Sequence, residues 1–426
     1  MRGGRHGAVT ALVAVLLGLF LPVTGAAAPE QQADRDQASP PQRHQKLQPG
    51  PDLAARSWAL IDGRTGEVLV SHAGNRELPI ASTTKLMTAY VAMKELPLDK
   101  LVRAQPYAAE YGESLMGLRT GQRISVRDLI YGLILRSGND AAHTLAIAAA
   151  GSEARFVAEM NRYAAALGLS HSHFANPVGL DQKGNYSSAF DLLTLTQRLL
   201  REPAFAKIAA SRSAVLRSVH PRRRITTINE LLELAPWATG VKTGHTFGAQ
   251  YVLVGSGRRR GVDLISAVIG TWTDEERFDD SLELLEWGFG QYARRVPARR
   301  GQDLADPEIR YTGGRLPLRA QRRLTVGLRY GQQLELRVRA PSEVEGPVRR
   351  GEKLGRALVL VDGRPAGAVP LLAGRAVPKA SAFDRARSFA EDNLALIGAA
   401  AFVILMVLVA LWRLLARDNK QGSRFG

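Results

Sequence analysis

The chain has 426 residues, a hydrophobic fraction of 45%, no cysteine and a formal net charge of +17. That length and composition allow two folded units with appendages, and the missing thiols exclude disulfides, thiolate metal sites and cysteine nucleophiles. The charge suits an anionic surface or polymer, but no nucleic-acid reading module accompanies it, so nucleic acid is not an expected partner.

At the start of the chain, Arg2 and Arg5 precede an apolar run over 8–23 and the small residues Gly25, Ala26, Ala27 and Ala28. Charge, a short apolar core and small residues in that order predict a secretory signal peptide over 1–27, cut at Ala26 or Ala27. Residues 28–51, rich in Gln, Pro and charge, are expected to be a disordered leader. Residues 57–70 alternate toward strand character around Asp62-Gly63 and Thr65-Gly66, a hairpin pattern. Apolar residues then recur at three- and four-residue steps over 82–94, 126–137, 141–149, 152–167, 188–200 and 279–292, which predicts helices. Strand-like runs occupy 215–219, 250–255 and 264–270. A hairpin, many helices and then strands predict an α+β fold over 52–295, an antiparallel sheet covered by helices.

From 296 to 378 the segments are short and broken by Gly, Pro and Asp-Gly pairs, with Asp362-Gly363 as a hairpin turn. This stretch is expected to be a small all-β domain, a spacer or binding unit. Residues 379–393 form a juxtamembrane segment in which Phe383 and Phe389 suggest a short interfacial helix. Residues 394–412 carry no charge and as a helix reach roughly 28 Å, a transmembrane length. Arg413, Arg417, Lys420 and Arg424 follow, so the tail 413–426 is expected in the cytoplasm and everything before the helix outside it. The signal peptide requires the same orientation.

Three short motifs carry chemistry: Ser82-Thr83-Thr84-Lys85 at a helix start, Ser137-Gly138-Asn139 at a helix end, and Lys242-Thr243-Gly244 before His245-Thr246 on a strand. Taken singly, Ser82 is a helix cap and Ser137-Gly138-Asn139 a helix-to-helix turn. Together and in this order they form a recognised catalytic set. Residues three apart share a helix face, so Lys85 reaches the Ser82 hydroxyl. A serine needs a base to become a nucleophile. A lysine serves if burial and a neighbouring cation, here Lys242, lower its pKa. Lys242 also attracts a substrate carboxylate. The N–H groups of Ser82 and His245 are the natural oxyanion donors. Ser137 can pass a proton toward the leaving amine, and Asn139 can hold the substrate amide and Lys85. His171-Ser172-His173 has no third ligand nearby and is read as a surface pair, so no metal or cofactor is expected.

The motifs resemble those of the low-molecular-mass penicillin-binding proteins, the D-alanyl-D-alanine carboxypeptidases of serine peptidase family S11. The likeness runs from Trp58 to Val377 through Pro79-Ile80-Ala81-Ser82, Ser137-Gly138-Asn139-Asp140, Asn176-Pro177-Val178-Gly179-Leu180, Gly240-Val241-Lys242-Thr243-Gly244-His245 and Trp287-Gly288-Phe289. It implies a penicillin-recognising catalytic domain, a β-rich domain and a C-terminal anchor. It also implies Ser82 as acylated nucleophile and Lys85 as base, completed by Ser137, Asn139, Lys242 and Thr243, with Gly244, His245 and Arg277 in substrate binding. Arg277 matches a family arginine for the terminal carboxylate, whereas a second such arginine is replaced by Ile228 and Arg222–Arg224 lie out of register. The implied partners are peptidoglycan stem peptides, β-lactams as covalent inhibitors, and the membrane. Alternatives are a serine β-lactamase, a D,D-endopeptidase and a non-catalytic wall-binding scaffold. The first needs a Glu-x-x-Leu-Asn segment that is missing between Asn139 and Lys242.

Overall fold

Strand β1 (Ser57–Asp62) is buried at every position, a pattern that arises where both faces of a sheet are covered. Its partners explain the pattern. β1 lies in a five-stranded antiparallel sheet with β2 (Val68–His72), β3 (Ala238–Thr246), β4 (Gln250–Arg259) and β5 (Val262–Thr271), in the order β2-β1-β5-β4-β3. Side chains alternate across it. Ala59, Ile61, Ile265, Ala267 and Ile269 join the helical core on one face, while Trp58, Leu60, Leu264 and Val268 meet Phe278, Leu284 and Leu285 on the other.

The helical core surrounds α1 (Lys85–Glu95), which carries Leu86, Met87, Ala89, Val91 and Ala92 with no exposure. A helix apolar on most sides belongs in the middle of a bundle. Around it pack α2 (Val126–Leu135), α3 (Asn139–Ala150), α4 (Glu153–Leu167) and α5 (Ala189–Leu200). α6 (Pro203–Ala209) was not foreseen from periodicity; α7 (Asp274–Gly290) covers the opposite face of the sheet. α7 begins earlier than the expected 279, because Thr273 and Glu276 form a reciprocal capping box. The α+β expectation holds for this half.

The remaining strands build a second sheet with its own core, from Ala298 to Val377. β6 (Asp303–Ala305), β7 (Leu318–Ala320), β8 (Leu334–Arg339), β9 (Lys353–Val361) and β10 (Arg364–Ala373) run in the order β8-β9-β10-β7-β6, and a short strand Arg35–Ala38 lies outside β8. Asp362 and Gly363 both have positive φ, 50° and 73°, as the expected two-residue turn requires. α8 (Ala382–Asp392) and α9 (Leu394–Gln421) end the chain, and Leu394–Arg413 has a mean hydropathy of 3.0 with none of it buried. This computed structural model describes residues 35–38, 49–329 and 331–421. The expected signal peptide and the end of the tail lie outside the described residues; within the leader 28–51, expected to be disordered, Arg35–Ala38 is instead a strand paired with β8, and most of the remainder lies outside the described residues.

Candidate active site

Ser82 sits in a single 3-10 turn, Ala81–Thr84, and the α-helix proper starts only at Lys85. The expected helix start at Ser82 is thus a tighter turn, in which side chains three apart eclipse. Lys85 stands over Ser82, and its Nζ donates to Ser82 Oγ at 2.8 Å. The same amine donates to the Val178 carbonyl. Lys85 is fully buried. Burial lowers its pKa to about 7, against the opposing charges of Glu113 and Asp140. The base therefore owes its lowered pKa to desolvation. The charge of Lys242 is expected from sequence to lower the pKa of Lys85; burial does so, and the two lysines meet electrostatically in the lowering of Lys242 by Lys85.

Ser137 and Asn139 occupy the junction between α2 and α3. Ser137 has a φ of 56°, a left-handed conformation unusual outside glycine and typical of strained functional positions. Lys242, on β3, is also fully buried, and its Nζ donates to Ser137 Oγ at 3.0 Å and to the Thr243 carbonyl at 2.7 Å. Burial holds its pKa well below the usual lysine value, aided by the charges of Lys85 and Arg277. Gly244 brings β3 against the nucleophile: a Cβ there would stand 3.0 Å from the Ser82 backbone nitrogen. A side chain at that position would push the strand off the turn.

His245 is exposed, with its ring stacked on Tyr251 at 4.2 Å. Arg277 is buried beneath the strand. Its Nη1 donates to the Gly244 carbonyl at 3.0 Å, and the guanidinium lies 5.2 Å over the Tyr251 ring. Of the out-of-register arginines, Arg223 donates to the Gly117 carbonyl at 2.9 Å. His171 and His173 pair separately, with Glu77 and with the Gly184 carbonyl.

Two supports had no assigned role in the sequence reading. The first is the segment Asn176 to Asp181. Asn176 Oδ1 accepts the backbone N–H groups of Val178 at 3.2 Å and Gly179 at 2.6 Å. This turn aims the Val178 carbonyl at Lys85 and the Pro177 carbonyl at the Thr88 hydroxyl, 2.6 Å away. Gly179 has a φ of 87°, and a Cβ on it would lie 2.1 Å from the Ala81 carbonyl oxygen. Asp181 then accepts from Thr246 Oγ1 at 2.7 Å and the Gly248 N–H at 2.8 Å, tying the nucleophile's turn to the β3–β4 hairpin.

The second support is Asp140. Its carboxylate accepts the N–H groups of Met116, Gly117 and Leu118 at 2.8–2.9 Å. The loop held in this way presents Glu113 to Asn139, whose Nδ2 donates to Glu113 Oε2 at 2.6 Å. The aspartate following the Ser-Gly-Asn triplet was the available signal for this anchoring, whereas nothing local marked Glu113.

Comparison with known proteins agrees with the motif order. Residues 43–273 match the peptidase S11 family model, described as D-alanyl-D-alanine carboxypeptidase. The chain is 30% identical over 336 residues to the D-alanyl-D-alanine carboxypeptidase DacF of Bacillus subtilis (strain 168), covering 76% of this chain and 86% of that protein. It is 32% identical over 351 residues to DacA of Escherichia coli (strain K12), covering 79% and 86%. Among solved structures, penicillin binding protein 5 from Haemophilus influenzae superposes with a TM-score of 0.54 at 27% identity, covering 78% of this chain and 100% of that one.

Proposed function

The chain belongs to the peptidase S11 family of D-alanyl-D-alanine carboxypeptidases, and we propose that Ser82, Lys85, Ser137, Asn139 and Lys242 carry out the family's reaction in it. It is a serine-type carboxypeptidase that removes the terminal D-alanine of peptidoglycan stem pentapeptides through an acyl-serine intermediate, and β-lactams inhibit it.

In our reading, Ser82 Oγ attacks the carbonyl carbon before the terminal D-alanine while its proton passes to the Lys85 amine. The developing oxyanion is held by the N–H groups of Ser82 and His245, positioned before the charge appears. Ser137, bonded to Lys242, relays the proton from Lys85 to the D-alanine nitrogen, the C–N bond breaks, and D-alanine leaves with Lys85 neutral again. Water then attacks the acyl-Ser82 carbonyl and gives a proton to the neutral Lys85 amine, which returns it to Ser82 Oγ as the ester C–O bond breaks and the shortened peptide leaves as a carboxylic acid. Lys242 and Thr243 meet the terminal carboxylate; that anion's arrival favours the charged form of a buried lysine. Asn139 holds the acyl-side amide. Arg277 acts beneath them through the Gly244 carbonyl.

The observation that carries the assignment is the 2.8 Å contact between Ser82 Oγ and an amine whose pKa burial lowers to about 7. Incubating the protein with a stem pentapeptide should release D-alanine, and Ser82→Ala should abolish both that release and labelling by a fluorescent penicillin. Retained labelling in Ser82→Ala would sink the assignment. Without a Glu-x-x-Leu-Asn segment to activate water, penicilloyl-Ser82 should turn over slowly.

The helix α9, long and apolar enough to cross a bilayer, supports membrane anchoring. The finer reading is that the catalytic domain, 52–295, and the β-rich domain, 296–378, stand outside the cytoplasmic membrane, with 413–426 inside. A reporter fused after 426 that works only in the cytoplasm tests the orientation.

A further inference from the structure

At the tip of the β3–β4 hairpin stands Phe247, with its side chain 99% exposed. The turn beneath it is fixed. Asp181 accepts from Thr246 Oγ1 at 2.7 Å and from the Gly248 N–H at 2.8 Å, and Thr246 Oγ1 accepts the Ala249 N–H at 3.1 Å. Turns ordinarily carry Gly, Asn, Asp or Ser, and a ring this exposed adds almost nothing to the buried apolar area that stabilises the fold. The Phe247 ring lies 6.5 Å from that of His245, which in turn stacks on Tyr251. Leu180, the residue before Asp181, is a second exposed apolar side chain, at 38%. The polar clasp around Asp181 is thus bordered by apolar surface on both of the segments it joins.

The direction of β3 decides what passes that surface. In the proposed reaction the terminal carboxylate meets Lys242 and Thr243, and the scissile carbonyl lies between the N–H groups of Ser82 and His245. Gly244 sets the level of the nucleophile, since a Cβ there would stand 3.0 Å from the Ser82 nitrogen. A peptide that runs from carboxylate to carbonyl along 242–245 carries its acyl side onward, toward 246 and 247. A strand advances about 3.3 Å per residue, which puts Phe247 roughly 7 Å beyond His245. That is the level of the residue preceding the penultimate D-alanine, or of the acylamino group of a penicillin.

We propose that Phe247 is a specificity-determining residue: together with Leu180 it covers an aliphatic or aromatic side chain on the acyl side of the bound peptide or β-lactam. The proposal rests on the site assignment above and adds a residue outside the three motifs. It also names the substrates that are favoured, those with a long apolar acyl-side chain over those with a short one or none. Phe247 offers no polar side-chain atom to the reacting bonds, so its contact is equally strong before and during the reaction. Such uniform binding lowers KM and leaves kcat alone.

The test uses the full chain with Phe247→Ala and Phe247→Leu, following acylation of Ser82 by a penicillin with a phenylacetamido side chain and by 6-aminopenicillanic acid, which has a bare amine there. Phe247→Ala is expected to slow acylation by the aromatic compound about tenfold, the worth of roughly 50–60 Å² of covered apolar surface. Acylation by 6-aminopenicillanic acid should stay within about twofold of the unaltered chain, and Phe247→Leu should recover most of the loss. With D-Ala-D-Ala peptides, Phe247→Ala should raise KM when a diacetylated lysine precedes them, leave kcat unchanged, and alter neither when an acetylated glycine precedes them. Equal losses on both penams, no loss on the aromatic one, or a peptide defect carried by kcat would overturn the proposal. Those results with Ser82-dependent labelling intact leave the site assignment standing, whereas labelling of Ser82→Ala removes both.

Discussion

Two lysine amines lie fully buried within one site, and water-poor surroundings disfavour two adjacent ammonium groups. The arrangement yields a neutral amine where a base is needed. The Val178 carbonyl takes an N–H of Lys85, and a neutral amine keeps one lone pair with which to receive the Ser82 proton. Acylation should therefore rise with pH through about 7, as Lys85 loses its proton. A profile flat from pH 5 to 8, a window set around that value, would contradict Lys85 as base. Lys85→Arg isolates protonation from charge, because arginine stays protonated in proteins. Its acylation rate should fall about a thousandfold, within the range for removing a general base, when followed by stopped-flow with a chromogenic penicillin.

The elements that hold these residues were unequally legible. Apolar periodicity gave the helices around α1 and the strands at 250–255 and 264–270, because a buried face imposes its spacing on the sequence, whereas of the expected strand 215–219 only Val215 and Leu216 lie in one, Ser213–Leu216. The Asp362-Gly363 hairpin was legible because two successive positive φ angles demand such residues. Other features depend on partners far along the chain. Nothing near Ser82 reveals a 3-10 turn, since the turn is held against Gly179 and Gly244 from elsewhere. Glu113 was invisible for the same reason. The start of α7 was readable in Thr273-Asp274-Glu275-Glu276 but was placed later, where apolar residues begin. Two variants probe these supports. Thr273→Ala removes the cap that accepts from the Glu276 N–H and should cost about 1 kcal/mol, measured as a lower Tm. Asp181→Ala frees the β3–β4 hairpin from the nucleophile's turn. It should leave Tm nearly unchanged yet lower kcat/KM for acylation by about ten- to a hundredfold, the sensitivity of a reaction to small misplacement.

The two cores are joined by polar contacts. Arg329 pairs with Glu67, the Tyr292 hydroxyl donates to Asp62 at 2.9 Å, and Arg64 Nη1 donates to the Ala366 carbonyl at 2.8 Å. They border a cavity of about 560 Å³ lined by residues of both parts. The hairpin Asp362-Gly363 belongs to the end of the second sheet facing the catalytic half. Its opposite end adjoins α8, where Arg385 reaches Glu345 at 3.1 Å. The β-rich part therefore stands between the catalytic residues and α9. In α8 the side chains of Phe383 and Phe389 are exposed, and the span Leu394–Arg413 is entirely unburied within the protein. Apolar surface of that extent needs a bilayer or a partner to cover it. Among the described residues, none of the hydrogen bonds that hold Ser82, Lys85, Ser137 or Lys242 comes from α8 or α9. A chain ending at 380 should consequently move from the membrane pellet to the soluble fraction while its kcat/KM for a short D-Ala-D-Ala peptide stays within about twofold, as expected for distant, uncoupled parts. Continued sedimentation with membranes would assign the anchoring to the folded domains, and a large loss of kcat/KM would show that the terminal helices support the cleft.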